Sequence, residues 1–258
     1  MAARECQAQF ANLGDPTSSW ALLGWVLVPA ISFWLLRSSL LAKRWPLTEF
    51  RHGYLVNAGT PVAAYLLAWC FISNILSDGT SAPLPYLPFL NPLELGQWLV
   101  LAALLLWWRA LPEQVGVKLA AKKVQALGAL MGLVLITGMV LRSCHHFAGV
   151  AWEGSALFDS RLTQAALSIT WATLGVIAMV FGNRRASRAV WAGGAVLLGV
   201  VVVKLFTVEL ADRGGLYRIV SFIAVGVLLL IVGYFAPVPV EAESATVVKS
   251  EQEPQEAI

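Results

Sequence analysis

VQALGALMGLVLITGMVLRSCH, residues 124–145, carries no charged side chain before Arg142. Wound as an α-helix, the stretch would rise about 33 Å at roughly 1.5 Å per residue. The hydrocarbon core of a bilayer is about 30 Å thick. Its length and apolarity are therefore those of a membrane-spanning helix, and that reading decides the class of fold. Six further runs meet the same requirement: Trp20–Leu36, Tyr54–Leu76, Pro92–Arg109, Leu162–Phe181, Val190–Leu210 and Leu216–Phe235. In lipid, backbone groups must find partners within the chain, so only helices or a closed barrel can span. Uninterrupted runs of this length exclude the barrel. The expected fold is an all-α, polytopic transmembrane bundle of about seven helices.

Composition agrees. Charged residues make up 13% of the 258-residue chain, hydrophobic residues 58%, and the mean hydropathy is +0.71. A soluble domain carries about 25% charged residues, so this chain has too little polar surface to cover a water-facing globule. The 11 tryptophans fit the same picture, since indole rings favour the headgroup region. The basic residues are scattered among loops and form no stripe, which argues against nucleic-acid binding. The three cysteines, Cys6, Cys70 and Cys144, show no CxxC spacing, and Cys70 reads as a small hydrophobe inside an apolar run. The opening residues MAARECQAQFANLGDPTSS have mixed charge and no apolar stretch, unlike a signal peptide.

The loops predict orientation. Arg37, Lys43, Arg44 and Arg51 follow the first run; Arg109 ends the third, with Lys118, Lys122 and Lys123 after it; Arg184, Arg185 and Arg188 follow the fifth. With Lys249 near the C-terminus, these are twelve of the eighteen Lys and Arg, all on one side of the predicted threading. The loop SDGTSAPLPYLPFLN, on the other side, has none. Because cytoplasmic loops carry the positive excess, the N-terminus is expected outside and the C-terminus inside. Residues 1–19 form a polar leading segment and 20–237 the spanning module. Residues 238–258, with five glutamates, form an acidic tail expected to be disordered.

Local signals refine this outline. Asn57, Gly59 and Pro61 interrupt the second run, which is expected to bend. Asn91-Pro92-Leu93-Glu94 is a helix start, with an N-cap asparagine, proline in the first position and an acid in the first turn. Trp107-Trp108-Arg109 closes the third run as an aromatic belt followed by an inside charge.

Polar residues inside spanning runs are costly and mark candidate sites. Arg161, Gln164, Ser168, Trp171 and Gly175 recur at 3, 4, 3 and 4 residues, so they share one helical face. That face either packs against another helix or lines a path. Lys204 lies deep in the sixth run, with Glu209 five residues on, and Tyr217, Arg218 and Ser221 open the seventh. Together with Arg142, His145, His146, Glu153, Asp159 and Arg161 they form an expected outer collar of charge. Its candidate binding residues are Arg142, His145, His146, Glu153, Arg161, Gln164, Lys204, Glu209 and Arg218. The collar is either a structural ion network or a site for an anionic or lipid-derived ligand. His145 and His146 are adjacent and so point about 100° apart on a helix, which is unsuited to ligating one metal together. No HExxH, Cys-His cluster or G-x-S-x-G is present, so no metal, cofactor or catalytic residue is assigned.

The stretches PLPYLPFLNPLEL, QAALSITWATLG, VVVKLFTVEL and LYRIVSFIAVGVLLLIVGYFAPVP resemble the C-terminal part of a family of predicted bacterial membrane proteins known as domain of unknown function 2339. The resemblance runs in order over about residues 20 to 240 and is most specific at the KLF…YRI-SF spacing. Where the family usually has Asp after KLF-V, this chain has Glu209, which keeps the charge. The resemblance implies a bacterial inner-membrane helical bundle and supplies no catalytic residue. Members are usually much longer, so the chain is expected to be a short form or the end of a longer protein. The function expected is a non-catalytic multi-pass module of a transport or envelope-associated assembly, in contact with lipid, other membrane subunits or an upstream part of its own chain. The alternative is a membrane-embedded enzyme acting on a lipid or envelope glycan, with His145 or His146 as acid/base.

Overall fold

The computed structural model describes residues 4–5, 18–37, 45, 49–50, 52–111, 120–209, 226 and 230. Seven α-helices lie within them: α1 Ser19–Arg37, α2 Gly59–Leu76, α3 Pro92–Ala110, α4 Ala121–Ala148, α5 Gly154–Asp159, α6 Arg161–Arg184 and α7 Arg188–Lys204. Among the described residues there is no strand. Five helical stretches are long and apolar enough to cross a membrane: Gly53–Leu76, Pro92–Ala110, Lys123–Ala148, Arg161–Arg184 and Arg188–Thr207. The first run falls on α1, whose apolar part Ser19–Leu35 is shorter. The run at Leu216–Phe235 lies outside the described residues. The fold is thus the all-α, multi-pass bundle that the apolar runs predict, and most helix ends fall within a few residues of them.

The chain divides into two compact units, Met1–Leu157 and Phe158–Ile258. In the first, α1 packs on α3 and α2, and α4 packs on α2 and α3. Val26, Ala30 and Phe33 of α1 meet Leu66, Trp69 and Cys70 of α2, Leu93, Val100 and Ala103 of α3, and Leu135 of α4 in one buried cluster. Cys70 and Cys144 are both buried as free thiols. Much of the remaining apolar surface is exposed, including Trp34, Ile72, Leu76, Leu127 and Leu130. For a chain with this hydropathy that is the surface lipid covers.

The second run does not simply kink at Pro61. A π-helical turn, Gly53–Ala58, precedes α2. The Gly59 N–H turns to the Val56 carbonyl, and the Leu55 carbonyl accepts the Trp107 indole N–H at 2.8 Å. Neighbouring side chains commonly satisfy backbone groups that proline and glycine release in a membrane helix. Trp107 also stacks on Phe33, with ring centroids 5.7 Å apart. This half-buried tryptophan therefore also ties α3 to the π-helical turn and to α1.

In the second unit α6 and α7 form a hairpin with a turn at Arg185–Ser187, closed by Ser187 N–H to the Gly182 carbonyl at 2.8 Å. Arg185 lies over the Phe181 ring, 4.9 Å from its centroid. The two backbones touch at Gly175 and Gly194, where a Cβ on either residue would run into the other's carbonyl. Small residues permit this approach in lipid, where dispersion replaces the hydrophobic effect as the force between helices. Gln164, Ser168 and Gly175 are buried while Arg161 is exposed. Part of the 3-4-3-4 face is therefore packed.

Candidate functional site: a buried ion pair beneath a histidine rim

The helix start at residues 91–94 forms as its sequence demands. Asn91 Oδ1 accepts the Leu93 N–H at 2.9 Å, and Pro92 opens α3. Glu94 then does more than favour the helix dipole. It is 2% exposed, and its carboxylate accepts the Tyr86 hydroxyl at 2.5 Å and the Phe89 N–H at 2.5 Å. Arg142 of α4 is fully buried, and its Nε lies 3.5 Å from Glu94 Oε1. The rest of the guanidinium turns to Asn74 at the end of α2, with Nη1 donating to its carbonyl at 3.3 Å and Nη2 to Oδ1 at 3.2 Å. Gln97 donates to the same Oδ1 at 3.5 Å, and Asn74 Nδ2 donates to the Val134 carbonyl at 3.1 Å. Gly138 lets α4 come this close, since a Cβ there would collide with the Asn74 side chain.

Above this pair, α4 ends at Ala148, and Gly149 takes the left-handed conformation, φ +68°. The two histidines lie in its last turn, half-buried, with ring centroids 4.9 Å apart in an edge-on arrangement. His145 Nδ1 is 2.6 Å from the Val150 carbonyl, and His146 Nε2 is 2.9 Å from the Asp78 carbonyl. A carbonyl only accepts, so those two nitrogens carry protons. Among the described residues, His145 Nε2 and His146 Nδ1 make no such bond. His146 also stacks on Tyr86 at 4.5 Å. Asp78 is pulled upward by burial, but two hydrogen bonds from Thr80 and the charges of both histidines outweigh this and hold its carboxyl below the ordinary value. Burial, with help from Glu94, pushes the Tyr86 hydroxyl well above its usual range, so it stays protonated as a donor.

A second polar cluster lies in the other unit. Lys204 Nζ donates to the Gln164 carbonyl at 3.0 Å and to Ser168 Oγ at 2.7 Å, and Gln164 Nε2 donates to the Phe158 carbonyl at 2.8 Å. Ser160 caps α6 by accepting the Thr163 N–H at 3.3 Å.

Of the nine sequence candidates, Arg142, His145 and His146 belong to the first unit's cluster, and Gln164 and Lys204 to the second unit's. Glu153, just before α5, and Arg161, the first residue of α6, are exposed. Glu209 ends the π-helical turn Leu205–Glu209, and its side chain lies outside the described residues, as does Arg218 altogether. Sequence reading missed Asn74, Asp78, Tyr86 and Gln97, and it assigned Glu94 only a capping role. A signal was available: Glu94 and Gln97 are three apart in a spanning run, and Arg142 needed an acid. Among the described residues, no three His, Cys, Asp or Glu come together as a metal site.

The sequence model of the family described as "Predicted membrane protein (DUF2339)" matches residues 1–239. The chain belongs to that family. No curated protein and no solved structure matches it. For this DUF2339 protein, then, chemistry must be argued from the side chains themselves. What they form at the first unit's end is a saturated polar core, Arg142–Glu94–Asn74–Tyr86, capped by a rim of His145, His146 and Asp78 with two ring nitrogens left over.

Proposed function

We propose that this DUF2339 protein is a non-catalytic multi-pass module of a transport or envelope-associated membrane assembly, whose outward-facing polar site is the His145–His146–Asp78 rim. The carrying observation is that each polar group beneath the rim is engaged by another part of the chain: Arg142 by Glu94 and Asn74, and Glu94 by Tyr86 and the Phe89 amide. A group committed to structure is not free to move protons for a substrate. The rim is what remains to meet an anionic or lipid-derived ligand or a neighbouring subunit. Bacterial inner-membrane residence is part of the same reading, drawn from the family resemblance and the asymmetry of basic loops.

The second reading, an enzyme acting on a lipid or envelope glycan, draws on one feature. His145 Nε2 and His146 Nδ1 are uncommitted among the described residues, and the Asp78 carboxyl responds to both rings. One experiment separates the two. Alanine at His145, His146 and Glu153 should leave expression and melting temperature nearly unchanged while reducing crosslinking of the chain to its membrane neighbours. Unchanged crosslinking, together with an altered lipid or glycan profile, favours the enzyme. Loss of the folded protein in every variant reduces the rim to a structural brace.

A further inference from the structure

The segment between α2 and α3 joins two spanning helices and holds no charged residue from Gly79 to Leu93. It nevertheless turns its largest apolar side chains outward: Leu84, Leu87, Phe89 and Leu90 are 54%, 49%, 54% and 66% exposed. Phe147, tilted against Tyr86 at 6.1 Å, is exposed beside them. In water such a display is unfavourable, and loops normally avoid it.

Two further observations say what covers it. The first is depth. α3 has 19 residues, so it is about 28 Å long, no more than the hydrocarbon core of about 30 Å. Pro92 must therefore stand at the hydrocarbon boundary if α3 spans, and residues 84–91 follow it there. The second is the state of the backbone. Lipid cannot accept hydrogen bonds, so a segment that enters it must satisfy or discard its own donors. Between Pro83 and Asn91, three of nine residues are prolines without an N–H. Of the six remaining N–H groups, four are bonded inside the chain: Leu84 to the Ser81 carbonyl, Leu90 and Asn91 to the Leu87 carbonyl, and Phe89 to the Glu94 carboxylate. The N–H groups of Tyr86 and Leu87 are the exceptions among these residues. Asn91 Nδ2 is likewise taken, by the Gly79 carbonyl at 2.7 Å. The loop is also held in this shape. Tyr86 is buried against Glu94, and Phe89 adopts φ +67°, a left-handed conformation uncommon for an aromatic residue.

We infer that residues 84–90 form a rigid interfacial anchor that seats Leu84, Leu87, Phe89 and Leu90 in the boundary between headgroups and acyl chains. The partner is the bilayer itself. The buried Arg142–Glu94 pair holds this anchor in place from below. Its place beside the histidine rim sets the rim at headgroup depth, where anionic groups are found.

Nitroxide labels on Leu84→Cys, Leu87→Cys, Phe89→Cys and Leu90→Cys test this, in a Cys6→Ser chain where Cys70 and Cys144 are buried from the reagent. In phosphatidylcholine–phosphatidylglycerol vesicles the four labels should collide several-fold more often with oxygen than with a water-soluble nickel chelate. A label on Glu153→Cys should show the reverse and serves as the aqueous control. Nickel-dominated collisions at Leu87, Phe89 and Leu90 would place the loop in water and overturn the anchor. If the labels are shielded from both reagents in native membranes but open to nickel in vesicles, a protein partner covers the loop instead, which also overturns it. Tyr86→Phe, which removes one tie to Glu94, should lower the oxygen preference without changing the helical content.

Discussion

Arg142 is the most consequential single residue in the described chain. Removing a guanidinium from water is strongly unfavourable, and the Coulomb gain offsets it only when geometry and hydrogen bonds are good. Here Glu94 supplies the counter-charge and Asn74 the remaining acceptors. Arg142→Met should therefore cost about 3–5 kcal/mol, because it leaves a buried carboxylate unpaired. Adding Glu94→Gln should recover part of that loss, since it removes the unpaired charge while the amide oxygen still accepts from Tyr86, though the Phe89 N–H then loses its acceptor. A double-mutant cycle followed by thermal melting in detergent measures this, and additive losses would refute the coupling. Asp78 makes a smaller, pH-dependent contribution. Its carboxyl is held below the ordinary carboxylate value of about 3.9 by Thr80 and the histidines, despite an upward pull from burial. The stabilisation is therefore whole above that ordinary value and is lost as pH falls through the lower folded one. Because the group is largely solvated, Asp78→Asn should flatten the acid limb of unfolding free energy against pH by less than about 1 kcal/mol.

At the scale of elements, the α6–α7 hairpin depends on backbone contact rather than interlocked side chains. Gly194 faces the Gly175 carbonyl, and Gly182 faces the backbone of Trp191. Gly194→Leu would push the helices apart and weaken the Lys204 bonds to Gln164 and Ser168 beyond the contact. Overpacking of this kind costs typically about 1–3 kcal/mol. Fluorescence energy transfer between labels on α6 and α7 should report the separation, and an unchanged signal would mean that the helices re-register instead. The second run illustrates a different lesson. Its interruption by Asn57, Gly59 and Pro61 was legible as a disturbance, but not as a π-helical turn. The form of the disturbance depends on Trp107, 52 residues away, filling the Leu55 carbonyl.

For the whole molecule, the unevenness of Lys and Arg makes a direct prediction. Reporter fusions within residues 78–90 should read outside, and fusions after Arg184 should read inside; the reverse pattern would invert the threading. The polar cluster and the apolar loop would then face the cytoplasm. The division between Leu157 and Phe158 also gives each unit its own polar cluster. Of the collar's candidate residues, Arg142, His145 and His146 belong to the first unit's cluster and Gln164 and Lys204 to the second unit's. Arg142 turns inward to Glu94, whereas Glu153 and Arg161 remain exposed.

What the amino-acid order determined by itself was the class of fold, the bounds of most helices and the cap at Asn91. These follow from properties additive along the chain: transfer of successive side chains to lipid, and hydrogen bonds between residues two to four apart. Which acid meets Arg142, which nitrogen of each histidine is engaged, and which carbonyl takes the Trp107 indole N–H were decided only by tertiary structure. Those answers depend on the rotational phase and depth of each helix, and on partners 48 to 68 residues away. A hydropathy pattern measures how much of a helix is apolar, but many arrangements of the bundle bury the same apolar area. The buried ion pair adds a requirement that hydropathy does not carry: in the first unit Arg142 must lie against Glu94 and Asn74, since a buried charge left unpaired is strongly destabilising.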